Sequence, residues 1–440
     1  MEKIVTKFGG SSLAEAKQFI KVKDILELDA RRCYVVPSAP GKRFAEDEKI
    51  TDLLYRCFHL TQEGKDITDT FNTISLRYKE IADELSLNIP ISNYLQEVKK
   101  DIENGANADY CASRGEYLNG LLLADYLGFS FVDPKDYIRF NEQGIFDMDL
   151  TQQLLSEALS TVSHAVIPGF YGSNPDGTIR TFSRGGSDIS GAIVSRACSA
   201  VLYENWTDVN GFLMADPRIV PEAKTITNIT YRELRELSYM GATVLHEDSI
   251  FPVHRAGITT NIRNTNCPTE DGTLITPSVS AKKSPFTITG IAGKRDFSVV
   301  SVEKAMMNNE LGFGRRILQV VEELGLSFEH LPTGIDSLCV VLSTADLAPQ
   351  REALIKRITE EVKPDSITIH DDMSIIATVG RGMVHNPGTA ARLFSALSKE
   401  KVNVRMIDQG SSELSILVGV DKADFERAIH SIYNEFANVK

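Results

Sequence analysis

A lysine and two glycines near the N-terminus have the types and spacing of an anion-binding turn. Lys7-Phe8-Gly9-Gly10-Ser11-Ser12 follows the apolar pair Ile4-Val5 and precedes a helical pattern of apolar residues. Glycines expose backbone N–H groups, a helix N-terminus adds partial positive charge, and a lysine adds a full one. Because the lysine precedes the glycines, the stretch is not a Walker A loop. It predicts either a phosphate-binding turn or an ordinary tight turn between a strand and a helix.

Two further small-residue turns could meet the first one. The predicted strand Cys33–Pro37 ends in Ser38-Ala39-Pro40-Gly41, and Arg184-Gly185-Gly186-Ser187-Asp188 opens a small-residue helix. Strand, helix and strand in succession predict a parallel sheet, in which such turns share one edge and can converge on one ligand. Helix capping would explain Ser187 or Asp188, but not the arginine and the paired glycines. An arginine there suits bidentate recognition of a carboxylate.

Glu116 could supply the opposite charge. It lies in Arg114-Gly115-Glu116 at the head of an apolar helix, where the helix dipole alone favours a glutamate. Paired with Arg184, it would match the ammonium and carboxylate of an α-amino acid. Thr207-Asp208, after another strand, predicts either a nucleotide contact or a turn cap. The histidines have no metal-ligand spacing, so we expect no metal site built from protein ligands alone.

Composition limits the class of protein. A chain of 440 residues predicts two or three domains, and the net charge of −13 argues against a nucleic-acid partner. The six cysteines are scattered, as is typical of reduced thiols in a cytoplasmic protein. No signal peptide is evident, and no apolar run approaches the ~18 residues of a membrane span. We therefore expect a cytoplasmic protein with no membrane partner.

The C-terminal third contains an internal repeat. Residues 312–342 align without gaps to residues 388–418, and each copy reads as helix, strand, turn and strand. With an upstream strand and a downstream helix, each copy predicts a ferredoxin-like βαββαβ unit. Residues 264–284, rich in Thr, Pro, Gly and Ser, predict a linker. The expected domains are 1–283 and 284–440, the latter with a first unit at about 306–370 and a second formed by 284–305 with 371–440.

Together these motifs resemble the aspartate kinases, a branch of the amino-acid kinase family. The resemblance rests on KFGGSS at 7–12, Ser38-Ala39, Thr51-Asp52, RGE at 114–116, PGFYG at 168–172, SRGGSD at 183–188, TDVNG at 207–211, DPR at 216–218, VLHE at 244–247 and the repeat, which resembles two ACT domains. It implies an α/β fold: a carbamate-kinase-like three-layer αβα domain with a mainly parallel central sheet, followed by two ACT units.

The resemblance also implies an activity and a set of site residues. The γ-phosphoryl group of Mg-ATP would pass to the side-chain carboxylate of L-aspartate, the first step in making lysine, threonine and methionine. Residues implied in catalysis are Lys7, Gly10 and Asp188. Residues implied in binding aspartate are Ser38, Thr51, Glu116, Arg184, Gly185, Gly186 and Ser187. Residues implied in binding ATP are Lys7, Gly9, Gly10, Ser11, Thr207, Asp208, Leu213, Arg218, Thr243 and Val244. The attacking carboxylate is ionised at neutral pH, so no general base is needed.

Two positions depart from the family pattern. Thr243 stands where many relatives have a lysine near the ATP phosphates, and Leu213 stands where a tyrosine often stacks near the nucleotide. Two other interpretations therefore stay open. One is a kinase for another substrate such as acetylglutamate or glutamate, and the other is a catalytically inactive amino-acid sensor.

The ACT-like tail implies feedback control through a homodimer, or a tetramer, built on these units. The effector would be lysine or threonine, with lysine favoured. Its implied contacts lie in the first unit: Met307, Asn309, Glu310, Gly312, Phe313, Gly314 and Glu329. Glu329 would pair with an effector ammonium, or else is a solvated strand residue. Since the chain stops after the second unit, we expect no fused homoserine dehydrogenase.

Overall fold

The structure, a computed structural model, describes residues 2–183, 185–242, 245, 247–277 and 286–437. Its contacts define two compact units. The first comprises 1–212, 225–231 and 243–280, and the second comprises 213–224, 232–242 and 281–440. The predicted division at 283/284 falls outside the described residues and stays a prediction. No helix within the described ranges is long and apolar enough to cross a membrane.

The first unit is built on an eight-stranded sheet. Its strands are β1 (Ile4–Phe8), β2 (Arg32–Pro37), β3 (Ser130–Phe131), β4 (Ala165–Val166), β7 (Leu202–Thr207), β8 (Asn228–Thr230), β9 (Thr259–Asn264) and β10 (Thr273–Thr276). The strands β5 (Tyr171–Ser173) and β6 (Ile179–Thr181) form a separate hairpin. The order is β3-β4-β2-β1-β7-β9-β10-β8. Neighbours are parallel except β9 and β10, which confirms the predicted mainly parallel sheet.

Helices cover both faces of this sheet. They are α1 (Ala16–Glu27), α2 (Ile50–Gln62), α3 (Thr68–Glu84), α4 (Ile91–Glu103), α5 (Ala108–Leu127), α6 (Met148–Ser160), α7 (Gly186–Ala197) and α9 (Phe251–Ala256), whereas α8 (Tyr231–Tyr239) belongs to the second unit from Arg232 onward. Side chains alternate across a strand. Phe8, Val35 and Trp206 therefore pack into one core with α1 to α5, whereas Tyr203 turns to the other face, where its hydroxyl donates to Asp188 O on α7. The predicted three-layer arrangement is confirmed.

Two predictions about this unit were wrong. Part of the predicted linker is β10, which pairs with β9 and β8. Its four residues, two of them threonines, resemble a linker because the strand is short and follows a stretch that contains proline and glycine. The turn at Gly185 follows the small β5–β6 hairpin and not a strand of the central sheet. The turn of that hairpin contains Asp176-Gly177, with Gly177 at φ 83°.

The second unit contains a six-stranded antiparallel sheet with helices. Its elements are β11 (Gly290–Glu303), α10 (Phe313–Glu323), β12 (Phe328–His330), β13 (Ser337–Ser343), α11 (Thr344–Leu347), α12 (Arg351–Val362), β14 (Ser366–Val379), α13 (Thr389–Lys399), β15 (Val404–Asp408), β16 (Ser415–Asp421) and α14 (Phe425–Ala437). The strand order is β12-β13-β11-β14-β16-β15.

The long strands β11 and β14 are each shared by two βαββαβ units, which we call unit A (residues 297–370) and unit B (residues 290–294 with 375–437). In unit A, residues 297–303 of β11 pair with β13, and β11 also pairs there with 366–370 of β14. In unit B, residues 290–294 of β11 pair with 375–379 of β14, whose other neighbour there is β16. Unit A has its own apolar core, in which strand residues such as Val300 and Val302 meet helix residues such as Ile317 and Ile358. The predicted pair of ferredoxin-like units is confirmed, with unit A inserted within unit B.

Candidate active site

The first glycine turn lies at the carboxyl end of the central strand β1. In register, Lys7 lies beside Val36 of β2 on one side and Asn205 of β7 on the other. The N–H of Gly9 donates to Trp206 O at 3.0 Å, and residues Gly10–Leu13 form a short 3-10 helix. The turn therefore presents the Lys7 ammonium and glycine backbone at the edge where parallel strands place ligands.

Lys7 forms a partly buried ion pair with Asp188. Its Nζ lies 2.6 Å from Asp188 Oδ1, and the two side chains are 9% and 18% exposed. Asn205 joins both partners, because its Nδ2 donates to Asp188 Oδ1 at 2.9 Å and its Oδ1 accepts from Lys7 Nζ at 3.4 Å. The structure thus brings together Lys7 and Asp188, as the family pattern implied. It adds Asn205, a buried polar residue of β7 to which no sequence motif pointed.

The second turn lies directly against the first. Gly41 N donates to Gly10 O at 2.8 Å. A Cβ on Gly10 would lie 2.8 Å from Ala39 O, and one on Gly41 would lie 2.7 Å from the carbonyl carbon of Gly10. Contacts that short with backbone leave no room for a side chain. The predicted convergence of these two turns is therefore present, and it depends on a pair of glycines.

The third turn meets the end of the next strand in the sheet. A Cβ on Gly169, which follows β4, would lie 2.7 Å from Ser187 Cβ, and one on Gly186 would lie 2.3 Å from the Phe170 ring. No side chain caps α7 at its N-terminus. The carboxylate of Asp188 is bonded to Lys7 and Asn205 instead, so helix capping does not explain it. Arg184, predicted to hold a carboxylate, lies outside the described residues.

Glu116 is a buried carboxyl group beside the second turn. It is 5% exposed. Its Oε2 has no hydrogen-bond partner in the described part of the chain. Burial raises the pKa of Glu116 to about 8, although the N–H of Ala39 and the nearby charges of Lys7 and Arg114 act in the opposite direction. Gly115 lets α5 approach closely, since a Cβ there would lie 2.7 Å from Ala39 Cβ. A buried, unpartnered acidic oxygen is suited to a cationic ligand.

Three other predicted site residues border the same turns. Ser38 N donates to Phe8 O at 3.1 Å, and Ser38 O accepts from Asn119 Nδ2 at 2.6 Å. Thr51 lies in the first turn of α2, which begins where Ile50 N bonds to Pro40 O. Ser11 lies within the 3-10 helix after Gly9. Their backbone positions lie at the predicted site, and their ligand contacts stay predictions.

The residues predicted to bind ATP are divided between the two units. Thr207 is the last residue of β7 and Asp208 follows it, with Thr207 Oγ1 donating to Asp208 Oδ1 at 3.2 Å. Leu213 and Arg218 belong to the second unit, and the exposed Arg218 bonds Asp216 through Nη2 at 2.6 Å. Thr243 and Val244 lie outside the described residues. Sequence departures at Leu213 and Thr243 are therefore not explained by any described contact.

The residues predicted to bind an effector surround the start of α10 in unit A. Met307 and Phe313 are buried in the core of this unit, and Glu310 is paired with Lys304 and Arg316. Gly312, at φ 76°, is the N-cap of α10. The remaining predicted contacts are Asn309, in a short 3-10 helix before α10, Gly314 in α10, and Glu329 on β12. Glu329 Oε2 is buried without a hydrogen-bond partner among the described residues, which is the feature an effector ammonium would satisfy.

The donor set suits a magnesium ion carried by phosphates. Among the described residues, no group of three or more His, Cys, Asp and Glu is arranged to hold a metal. Magnesium bound with a nucleotide, however, usually takes one or two carboxylates plus phosphate oxygens. Asp188 lies in the first turn of α7 and Asp208 directly follows β7, and carboxylate oxygens are ligands that this ion prefers.

Comparisons with known proteins agree with this geometry. Residues 2–264 match the amino acid kinase family, and residues 376–436 match the ACT domain. Aspartokinase 3 of Bacillus subtilis is 38% identical, over 98% of each chain. The crystal structure of Clostridium acetobutylicum aspartate kinase has a TM-score of 0.91 at 53% identity, covering 99% of this chain and 100% of that one.

A third comparison supports the fold alone. Escherichia coli aspartokinase III, solved with aspartate and ADP, has a TM-score of 0.74 at 24% identity and covers 99% of both chains. The identity over the whole Bacillus enzyme and the match to the Clostridium structure extend through both units of this chain. On these grounds the chain belongs to the aspartate kinase family.

Proposed function

We propose that the chain transfers the γ-phosphoryl group of Mg-ATP to the side-chain carboxylate of L-aspartate, forming 4-phospho-L-aspartate. The observation that carries the proposal is the pairing of two unlike sites at one sheet edge. A cationic turn at Lys7 lies within electrostatic reach of the buried acid Glu116, whose Oε2 has no hydrogen-bond partner among the described residues. One suits the phosphoryl group and the other suits the ammonium of an amino acid.

The residues of the chain act mainly by placement and charge. The substrate carboxylate has an ordinary pKa near 4 and is therefore already a nucleophile at neutral pH. Lys7, oriented by Asp188 and Asn205, would neutralise charge that develops on the phosphoryl oxygens, and the backbone at Gly9 and Gly10 would donate to them. Phosphoryl transfer needs little else from a protein, since it is dominated by positioning and electrostatic stabilisation.

Substrate binding would use opposite charges for the two ends of the amino acid. Glu116 would accept the ammonium group, with Ser38, Thr51, Gly185, Gly186 and Ser187 lining the pocket and Arg184 taking the α-carboxylate. Asp188 and Asp208 would hold the magnesium ion that accompanies ATP, and that ion would supply further charge neutralisation. A substrate whose amino group is acetylated would leave Glu116 unpartnered, which disfavours acetylglutamate.

Lysine is the effector we propose, bound in unit A of a homodimer or a tetramer. The buried Glu329 Oε2 supports it, since a second ammonium group on the effector would satisfy that oxygen. In the same proposal the protein works in the cytoplasm with reduced thiols, and its six cysteines are free in the structure.

A coupled ATP-consumption assay with aspartate, glutamate and acetylglutamate tests the proposal. We expect turnover with aspartate only, inhibition when lysine is added, and no turnover by Lys7→Ala with normal folding and lysine binding. Absence of aspartate turnover by the wild-type protein would refute the substrate. An unchanged kcat in Lys7→Ala would refute the role of the turn, and a protein that binds lysine without turnover would be the inactive sensor.

A further inference from the structure

Arg77, on α3, is a buried arginine that contacts one backbone carbonyl group at each of the first two turns. Its side chain is 4% exposed. Its Nη1 donates to Gly41 O at 3.1 Å and to Ala14 O at 3.4 Å. Gly41 belongs to the second turn, and Ala14 directly follows the 3-10 helix that completes the first turn. One guanidinium group therefore bridges the two loops.

The other side of the guanidinium is held by Asp47. Nη2 of Arg77 lies 2.8 Å from Oδ1 and 2.7 Å from Oδ2 of that carboxylate. Burial alone would raise the pKa of Asp47, but hydrogen bonds from Arg43 and the charge of Arg77 lower it to about 2. Asp47 is therefore ionised throughout the physiological range. Arg77 uses Nη1 for the two carbonyl groups and Nη2 for Asp47, and the single ammonium group of a lysine cannot reproduce this arrangement.

The bridged loop also carries a partner of Glu116. Residues 38–47 begin with Ser38 and Ala39, and the Ala39 N–H stabilises the Glu116 carboxylate. The same segment presses Gly41 against Gly10. By contrast, Lys7 and Asp188 are joined through Asn205 on other elements, and Arg77 makes no contact with them in the described structure. Displacement of this loop would therefore disturb Glu116 more than it disturbs the phosphoryl-binding pair.

We propose that Arg77 is a positioning residue that clamps the loop 38–47 onto the first glycine turn and so sets the aspartate-binding geometry of Glu116. This role rests on the proposed function, because it concerns the binding of aspartate. Its signature is a split between the two kinetic constants. The Michaelis constant for aspartate should respond strongly, whereas kcat should respond weakly.

The test is steady-state kinetics of the full-length protein with Arg77→Met, Arg77→Lys and Arg43→Gln. We expect Arg77→Met to raise KM for aspartate about tenfold or more and to change kcat by less than about threefold, because misplacement of a binding group costs affinity first. Arg77→Lys should lie between Arg77→Met and the wild type. Arg43 also pairs with Asp47, but it is part-exposed and bonds neither carbonyl group, so Arg43→Gln should keep both constants.

General loss of stability is tested with Leu95→Ala, a core substitution in α4. It should lower the melting temperature while leaving KM unchanged. Should Arg77→Met fail to fold, Asp47→Asn takes its place, with an expected rise in KM of about threefold because the arginine keeps its carbonyl bonds.

Three outcomes would overturn the role: KM within about twofold of wild type in Arg77→Met, an equal KM shift in Leu95→Ala, or, where Arg77→Met does not fold, an unchanged KM in Asp47→Asn. No aspartate turnover by the wild-type protein would instead overturn the proposed function, and this role with it.

Discussion

Glu116 shows how burial prepares a side chain for a charged ligand. In the ligand-free protein its carboxyl group has a pKa near 8, because burial disfavours the charged form. An ammonium group bound at Oε2 would reverse that effect and favour ionisation. Binding of the amino acid would therefore be coupled to loss of a proton from Glu116.

Aspartate affinity should consequently increase with pH. We expect kcat/KM for aspartate to rise from about pH 6 and level off above about pH 8, since this ratio reports ionisation of the free enzyme. The measurement is a pH profile of initial rates in wild type and Glu116→Gln. The variant should have a low kcat/KM without this rise, and a wild-type profile that is flat across pH 8 would contradict the assignment.

Stability should change in the opposite direction. A raised pKa makes the folded protein bind the proton more tightly than the unfolded chain, so this contribution to stability is full below pH 4.5 and is lost as pH rises to the folded-state value of about 8. Glutamine stays neutral, so Glu116→Gln should increase the free energy of unfolding at pH 9 by up to about 5 kcal/mol and have little effect near pH 4. Urea unfolding at the two pH values measures this difference, and equal effects at both would count against a buried acid.

Asn205 is the residue-scale finding that the sequence did not predict. We expect Asn205→Leu, which removes both of its hydrogen bonds, to lower kcat about tenfold because Lys7 and Asp188 lose a shared anchor. The matched control is Asn261→Leu. Asn261 is another buried asparagine on the neighbouring strand β9, and its Oδ1 has no partner in the described residues. Equal kcat values in the two variants would show that Asn205 is only a packing residue.

At the scale of elements, the site depends on direct backbone contact between the first two glycine turns. Gly41→Ala should force the two turns apart, because its Cβ would lie 2.7 Å from backbone of Gly10. We expect about 1 to 3 kcal/mol of destabilisation together with a loss of kcat/KM. Gly128→Ala is the matched control. Gly128 ends α5 at φ 68° with open space around it, so alanine there should cost about 1 kcal/mol without a kinetic effect.

Thermal unfolding and initial rates of both glycine variants separate the two effects. A Gly41→Ala enzyme with normal kinetics would show that the close approach of the turns is not required. The contrast distinguishes a steric requirement at the site from a conformational one at a helix end.

The sequence predicted those features whose residues lie close together in the chain. The strand, glycine turn and helix around Lys7 form one continuous stretch, and so does the motif that contains Asp188. The role of Asn205 requires knowledge that β7 lies beside β1 in register, which follows from the strand order of the whole sheet. Strand β10 was missed for another reason, since it has only four residues and its threonines resemble a linker. Motif spacing cannot report neighbours that are far apart in the chain.

At the scale of the whole molecule, unit A is an insertion whose two ends meet. Phe297 of β11, where unit A begins, lies opposite Met373 of β14, and Glu303 and Ser366, where the chain departs from these two strands, also lie opposite each other. The chain therefore leaves unit B and returns to it at adjacent points. Unit A also has a separate apolar core, so its removal should not open the core of unit B.

Excision of residues 304–365, which removes all of unit A except its parts of β11 and β14, with an Asn-Gly turn joining Glu303 to Ser366, should yield a folded kinase without lysine response. Asn-Gly favours the two-residue turn that antiparallel strands need. The measurement is aspartate-dependent ATP consumption over a lysine titration, beside full-length Glu329→Gln, which should keep the fold and weaken the response. Full lysine inhibition of the excised protein would place the effector site outside unit A.

The sharing of β11 and β14 also orders events while the chain is being synthesised. All strands and helices of unit A lie between residues 297 and 370, so it can complete its sheet as soon as that stretch has left the ribosome. Residues 290–294 are made earlier, yet their partners at 375–379 emerge only after the whole of unit A. The first strand of unit B therefore stays unpaired until all of unit A has been synthesised. Since unpaired strand edges are prone to aggregate, substitutions that slow the closure of unit B should reduce the yield of protein before they reduce its activity.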